Sequence, residues 1–271
     1  HLKLDGVANE AQGVDWSLDA AKLAQLYPDL SGQLKGSGNA KGLLDGSRLA
    51  LRIDALEGKV KDYPVKAVGA LRIEGEQLSA DNLKVNVGEN QISLNGKADE
   101  DSGIDWRIDA PELDVLYPEL SGQLKGNGNA QGLLDGSRLA LRIDELDGEV
   151  KGYPVNVTGA LRVENELLSA DDLKVNVGEN LLSLNGQADE SSGIDWRVDA
   201  PELTALYPEL SGQLKGNGNA KGLLDGSRLA LQIDELAGNV NSYPLAATGA
   251  VRVEDELLSA ACREIVEGAV L

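Results

Sequence analysis

Few residues in this chain could do covalent or metal chemistry. A single histidine, His1, opens the sequence, and a single cysteine, Cys262, lies near its end. Counting therefore excludes a histidine-dependent triad, a multi-histidine metal site, an intramolecular disulfide and a cysteine-based metal cluster. His1 reads as the remnant of a tag, and Cys262, alone in an off-pattern tail, as incidental rather than as a reactive thiol. Gly126-Asn-Gly-Asn-Ala-Gln-Gly132 has the glycine density of a phosphate-cradling loop. That mechanism needs a strand, a tight glycine turn and then a helix N-terminus presenting its N–H groups. Here strand alternation runs on through the glycines and no helix follows. Asp99-Glu-Asp101 offers carboxylates to calcium, but the next copy has Asp189-Glu190-Ser191 and the spacing fits no known loop, so a solvated turn is expected. Trp16, Trp106 and Trp196 could stack a ligand; packing within an apolar face is the reading adopted. Asn156-Val-Thr158 has the form of a glycosylation acceptor and reads as plain strand. No nucleophile, base and orienting group come together, so neither an enzyme nor a cofactor nor a metal site is expected.

Composition narrows the partners. The 271 residues carry 25 Lys+Arg against 45 Asp+Glu, a formal charge of −20. A nucleic-acid binder would show a basic patch to neutralise phosphates, and an anionic membrane surface would repel this chain. Hydrophobic residues make up 42%, enough for burial and too many for a disordered acidic tail. With no Phe, no Met and three Trp, the interior must be built from Leu, Val, Ile, Ala and part of the 32 Gly. No apolar run approaches the roughly 20 residues a membrane helix requires. No signal peptide is present and the first residue is not Met, so the chain reads as an excised or processed segment.

What must position these residues is a repeat. Ser121-Gly-Gln-Leu-Lys-Gly-Asn-Gly-Asn-Ala130 recurs unchanged at 211–220 and, with Ser37 for Asn, at 31–40. Gly-Ile-Asp-Trp-Arg at 103–107 returns at 193–197, with Gly-Val-Asp-Trp-Ser at 13–17. The offset is 90 residues every time, without insertion or deletion. This predicts one sheet over 1–260, with units at about 11–100, 101–190 and 191–260, and an off-pattern C-terminal tail at 261–271.

Within a unit the pattern has period 2, the mark of strands with one apolar and one polar face. Ile104, Trp106 and Ile108 alternate with Asp105, Arg107 and Asp109, and the same alternation runs through 122–132, 138–144, 155–164 and 173–185. About six strands per unit and seventeen in the chain are expected. Turn signals lie between them at Asp135-Gly136, Gly152-Tyr153-Pro154, Gly178-Glu179-Asn180 and Glu190-Ser191-Ser192-Gly193. Connections this short favour antiparallel neighbours. One segment, Asp109 to Pro118, has an Asp suited to an N-cap and Leu113, Leu116 and Tyr117 at helical spacing; it predicts a single helical turn at the sheet rim. The fold class is thus all-β and antiparallel.

An alternating sheet must bury its apolar face, and no long amphipathic helix is available to cover it. Either the sheet packs on another as a sandwich, or it curls into a trough lined by Leu, Val and Ile. The segments 103–113, 117–128 and 173–186 together (Asp-Trp-x-x-Asp-Ala-Pro-x-Leu, Pro-x-Leu-Ser-Gly-x-Leu-x-Gly-x-Gly, and Val-Gly-x-Asn-x-Leu-x-Leu-x-Gly) resemble the TamB, AsmA-like family over about residues 1–260. The near-identity of the copies and the break at 261 depart from that family's pattern. The resemblance implies an elongated, U-shaped antiparallel β-taco in the Gram-negative periplasm, anchored elsewhere at the inner membrane. Its hydrophobic groove would conduct phospholipid between the membranes or assist outer-membrane protein assembly, together with an outer-membrane barrel partner of the TamA type. The groove lining in the middle unit would be Ile104, Trp106, Ile108, Leu124, Leu139, Leu141, Ile143, Val155, Val157, Leu161, Val163, Leu173, Val175, Val177, Leu182 and Leu184. Phospholipid acyl chains are then the expected ligand, nucleic acid is excluded, and unpaired sheet edges invite self-association. The alternative is a tandem array of immunoglobulin-like sandwiches in a bacterial surface adhesin or stalk. A designed or idealised repeat with no task of its own fits either fold.

Overall fold

Alternation of apolar and polar side chains produces eighteen strands among the described residues. A computed structural model describes the chain except residues 8, 10, 11, 26, 29, 43–47, 100, 101, 134–136, 190, 223–227, 255, 256 and 265–271, with backbone alone at 254, 257, 258 and 260–264. The chain divides into two compact units, His1–Gly136 and Ser137–Leu271. The first holds β1 (Leu2–Val7), β2 (Gly13–Ala20), β3 (Gly32–Gly42), β4 (Arg48–Val60), β5 (Tyr63–Glu74), β6 (Gln77–Val87), β7 (Asn90–Lys97), β8 (Gly103–Ala110) and β9 (Gly122–Gly132). The second holds β10 (Arg138–Val150), β11 (Tyr153–Glu164), β12 (Leu167–Val177), β13 (Asn180–Gln187), β14 (Gly193–Ala200), β15 (Gly212–Gly222), β16 (Arg228–Val240), β17 (Tyr243–Glu254) and β18 (Leu257–Glu264).

In each unit every strand pairs antiparallel with the next, so each is an open meander. Neither unit contains, among the described residues, the second facing sheet that an immunoglobulin-like sandwich requires. Residues 261–264, where the sequence leaves the repeat, continue β18 against β17. The Asp135-Gly136 turn signal lies outside the described residues.

Two corrections concern the turns. Gly152-Tyr153-Pro154 is not itself the turn: Lys151 and Gly152 make it, with φ of 52° and 83°, and Tyr153 and Pro154 open β11. Both central residues at positive φ is the form of hairpin turn that matches strand twist. Likewise Asn180 is the first residue of β13, leaving Gly178 and Glu179 as the turn.

β-Bulges interrupt the alternation. Ile143 pairs with Gly159 but the next apolar partners are Leu146 and Val157, so Asp144 and Glu145 form a bulge. A second bulge places Asp172 and Leu173 opposite Gly159, with Asp172 at φ 44°. Gly159 itself sits at φ 113°, where a Cβ would meet the Leu173 Cα at 2.5 Å. After each bulge the apolar residues return to their original face. β10 therefore runs on to Val150, where a strict period-2 reading ended it at Asp144.

Candidate functional site

Cross-strand register decides which side chains share a face, because antiparallel partners point the same way. In the first unit Ile104 pairs with Gly96 and Ala130, Trp106 with Leu94 and Gly128, Ile108 with Ile92 and Gly126, and Leu124 with Ala110. These four lie on one face. In the second unit Leu139 pairs with Val163 and Leu141 with Leu161, while Leu173 and Leu184 lead on to Trp196. Val157, Val175, Leu182 and Val198 form one row, and Val155 pairs with Val177 beside it. All twelve expected residues of this unit, Ile143 included, lie on its apolar face.

Burial on that face is uneven. Ile104 and Leu173 are buried, at 5% and 6% exposed, whereas Leu182 is 39% and Leu139 50% exposed. The other expected residues are half-buried. In the first unit the most buried cluster is Ala80, Leu83 and Ile104, packed by Leu71, Leu94 and other side chains of the same face. Burial here comes from neighbours within the sheet. The elements packed out of its plane are single helical turns at Leu23–Gln25, Leu113–Leu116 and Leu203–Ala205, whose Leu23, Leu113 and Leu203 are buried.

Two features of this face were not anticipated. Each tryptophan lies across a glycine of the next strand, and a Cβ on Gly218 would stand 2.7 Å from the Trp196 ring. The Gly-rich strand is therefore a cradle for indole, not a thin place in the core. The indole N–H of Trp16, Trp106 and Trp196 is buried and finds no acceptor among the described residues. The second feature is a buried asparagine. Asn180, 2% exposed, donates to the carbonyls of Val177 and Glu202 at 3.0 and 2.8 Å and accepts from the Glu202 N–H at 3.0 Å. Asn90 clips Glu112 in the same way. These asparagines, not an N-cap Asp, fix the helical turns at Leu113–Leu116 and Leu203–Ala205. Asp109 ends in β8 with its carboxylate 3.6 Å from Lys125, and the capping position, Glu112, makes no side-chain cap. The available signal was one of parity: Asn180 falls in step with Leu182 and Leu184.

The opposite face is polar. In the second unit it holds a depression of about 680 Å³ lined by Lys174, Asn185, Asp195, Arg197, Lys215 and Glu235 among others. Its groups pair locally: Asn219 donates to Asp195 at 2.8 Å, Asn217 to Asp234 at 3.2 Å, and Lys215 lies 3.4 Å from Asp199. In the turn after β7, Asp99 accepts from the N–H and hydroxyl of Ser102, while Glu100 and Asp101 lie outside the described residues. In the corresponding turn Asp189 accepts from the hydroxyls and N–H groups of Ser191 and Ser192, at 2.7 to 3.0 Å. The Ser191 hydroxyl first, then the Ser192 groups, hold its carboxyl well below the usual carboxylate range. Among the described residues no group of three or more His, Cys, Asp or Glu is placed to hold a metal ion. Asn156 lies in β11 with its amide donating to Asp147.

A family profile described as "TamB, N-terminal domain" matches residues 1–144 and 134–235. The chain belongs to the TamB family. It is 23% identical over 221 residues to the translocation and assembly module subunit TamB of Haemophilus influenzae. That match covers 79% of this chain and 16% of the relative. No solved structure matches the chain. Among the described residues, no helix is long and apolar enough to cross a membrane.

Proposed function

We propose that this segment serves a TamB-type translocation and assembly module in the periplasm of a Gram-negative bacterium, its apolar face receiving the acyl chains of phospholipid moving between the membranes. The observation that carries this reading is the half-exposed row Val157, Val175, Leu182 and Val198, with a helical turn and not a second layer beside it. Burial of a methylene is worth about 0.8 kcal/mol, so partial insertion of an acyl chain gives useful affinity without polar recognition. An aliphatic lining also lets cargo leave. Membership of the TamB family supports a role in outer-membrane assembly with a barrel partner of the TamA type, and the apolar face suits extended apolar segments for the same reason it suits acyl chains. The 1–260 stretch works as one repeat sheet in this reading, with no catalysis. The test is site-specific photo-crosslinking in the presence of phospholipid vesicles, from position 182 on the apolar face and position 183 on the polar one. Phospholipid adducts from 182 and not from 183 are expected. Equal yields from both, or none from either, would overturn the proposal.

A further inference from the structure

In each unit the tyrosines gather at one rim, the one at which its even-numbered strands end. The first unit has Tyr27 between β2 and β3, Tyr63 at the start of β5 and Tyr117 between β8 and β9. The second has Tyr153 at the start of β11, Tyr207 between β14 and β15 and Tyr243 at the start of β17. These are all six tyrosines of the chain. The segments joining strands at the other rim, 75–76, 98–102, 165–166 and 188–192, hold no aromatic residue. Five of the six tyrosines are 37% to 77% exposed. No tyrosine hydroxyl has a hydrogen-bond partner among the described residues. A ring with an apolar body and a polar tip settles where an apolar layer meets water.

Register ties this rim to the apolar face. Tyr63, Val65 and Ala67 follow one another on one side of β5, and Ala67 heads the row Val85, Ile92 and Ile108. Four residues of strand put Tyr63 about 13 Å from that row. In the second unit Tyr153, Val155 and Val157 lead in the same way to Val175, Leu182 and Val198. Tyr63 is not alone at its corner. A Cβ on Gly88 would meet Val115 Cγ1 at 3.4 Å, and Glu112 Oε2 and Tyr63 Cδ1 at 3.7 Å, so ring, carboxylate and methyl converge at the β6–β7 turn. Glu89 and Glu112 are exposed, and neither carboxylate is paired among the described residues. With Asp62 they outnumber Lys61 there. A carboxylate beside an open aromatic ring receives an ammonium group, whereas the same carboxylates repel a head group that is only anionic.

We propose that lipid head groups lie along the tyrosine rim while their acyl chains run inward over the apolar face, and that the rim takes phospholipids bearing an ammonium in preference to those that are only anionic. This rests on the acyl-chain reading of that face. The probes are dihexanoyl phosphatidylcholine and dihexanoyl phosphatidylglycerol, identical in their chains. Each is titrated below its micelle concentration into the full chain and followed by methyl, tyrosine-ring and amide NMR signals. Both lipids should shift the Ile92 and Leu182 methyls. The choline lipid should also shift the Tyr63 ring and the Glu112 amide and leave Ala98 and Ser102, at the other rim, unmoved. Read at Ile92, it should bind about fivefold tighter than the glycerol lipid, with the difference shrinking in salt. Tyr63→Leu and Glu112→Gln should each reduce that preference to about twofold or less at unchanged melting temperature, with the methyl shifts retained. Four results would overturn this inference and leave the acyl reading standing: methyl shifts with equal affinities, tighter binding of the glycerol lipid, movement at Ala98 and Ser102 in place of Tyr63, or the preference intact in both folded variants. No methyl shift from either lipid would sink the acyl reading and this inference with it. Tyrosine-ring shifts that grow with chain concentration before lipid is added would overturn it in favour of a second copy at the rim.

Discussion

Placing an aspartate at Leu182 and, separately, at Leu173 measures whether the apolar face is open. Leu182 is 39% exposed and touches Val175 and Val198 along its row, so about three-fifths of its surface is covered by neighbours. Complete burial of a leucine is worth about 1.5–3 kcal/mol, so losing that cover costs about 1–2 kcal/mol. The carboxylate at an open site keeps its water and adds little. Leu173 is 6% exposed and lies at the bulge against Gly159. There the whole transfer energy is lost and a charge is buried unpaired, a penalty above about 4 kcal/mol and comparable with the stability of a domain. Urea unfolding should therefore find Leu182→Asp folded, with a modestly lowered midpoint, and Leu173→Asp largely unfolded. Binding of a fluorescent fatty acid by folded Leu182→Asp should fall at least tenfold, the equivalent of about two methylenes denied the face. If Leu182→Asp unfolds like Leu173→Asp, the face is covered and the open-sheet argument fails. If it folds and binds the fatty acid undiminished, this row is not the site.

Asn180→Ala leaves the Glu202 N–H and two carbonyls without their partner, and should cost about 1–3 kcal/mol. Faster hydrogen exchange at 202–206, with β16 and β17 unchanged, is the signature; unchanged exchange there would refute the clip. Gly218→Ala drives a methyl into the Trp196 ring and the Gln232 carbonyl, and should destabilise by about 1–3 kcal/mol with a shift in tryptophan emission. A neutral result by thermal melting would show that the ring does not rest on that glycine. Asp189 has a depressed carboxyl in the folded chain, so its contribution is complete above the ordinary aspartate value of about 3.9 and is lost only as pH falls through the lower folded value. The Ser191 and Ser192 amide shifts should stay constant through pH 4, and a midpoint at the ordinary value would contradict the turn geometry.

The strands were legible because one face of each is apolar and the other is not, and among the described residues no long helix competes with that signal. β8 and β9 follow the alternation from end to end. β10 does not, because the Asp144-Glu145 bulge shifts parity by one and a period-2 reading takes that for an end. The bulge in β12 depends on Gly159 in the neighbouring strand, a partnership of distant residues that no local pattern reports. Residue 261 shows that both partners are needed: where Asp171-Asp172 gives way to Ala261-Cys262, β18 pairs with β17 without a register shift although Gly249 keeps the glycine. The face was thus readable and its interruptions were not, since alternation is a property of one strand and a bulge of two.

The apolar face was legible as a set of residues, but not as a packing arrangement. Small aliphatic side chains beside a Gly-rich strand suggested a deficient core needing either a second layer or a ligand. Instead the indoles of Trp16 and Trp196 cover glycines of the adjacent strand, and the space above Gly216 on β15 is taken by the Leu236 side chain, which a Cβ there would meet at 2.6 Å. Large residues on one strand fill the gaps left by glycine on the next, so apolar area is buried sideways within the face. Lateral burial needs no lid. This reconciles a stable sheet with exposed Leu139 and Leu182, because the energy that holds the strands together is gained between neighbours and leaves the outer surface of the same side chains free to meet a ligand.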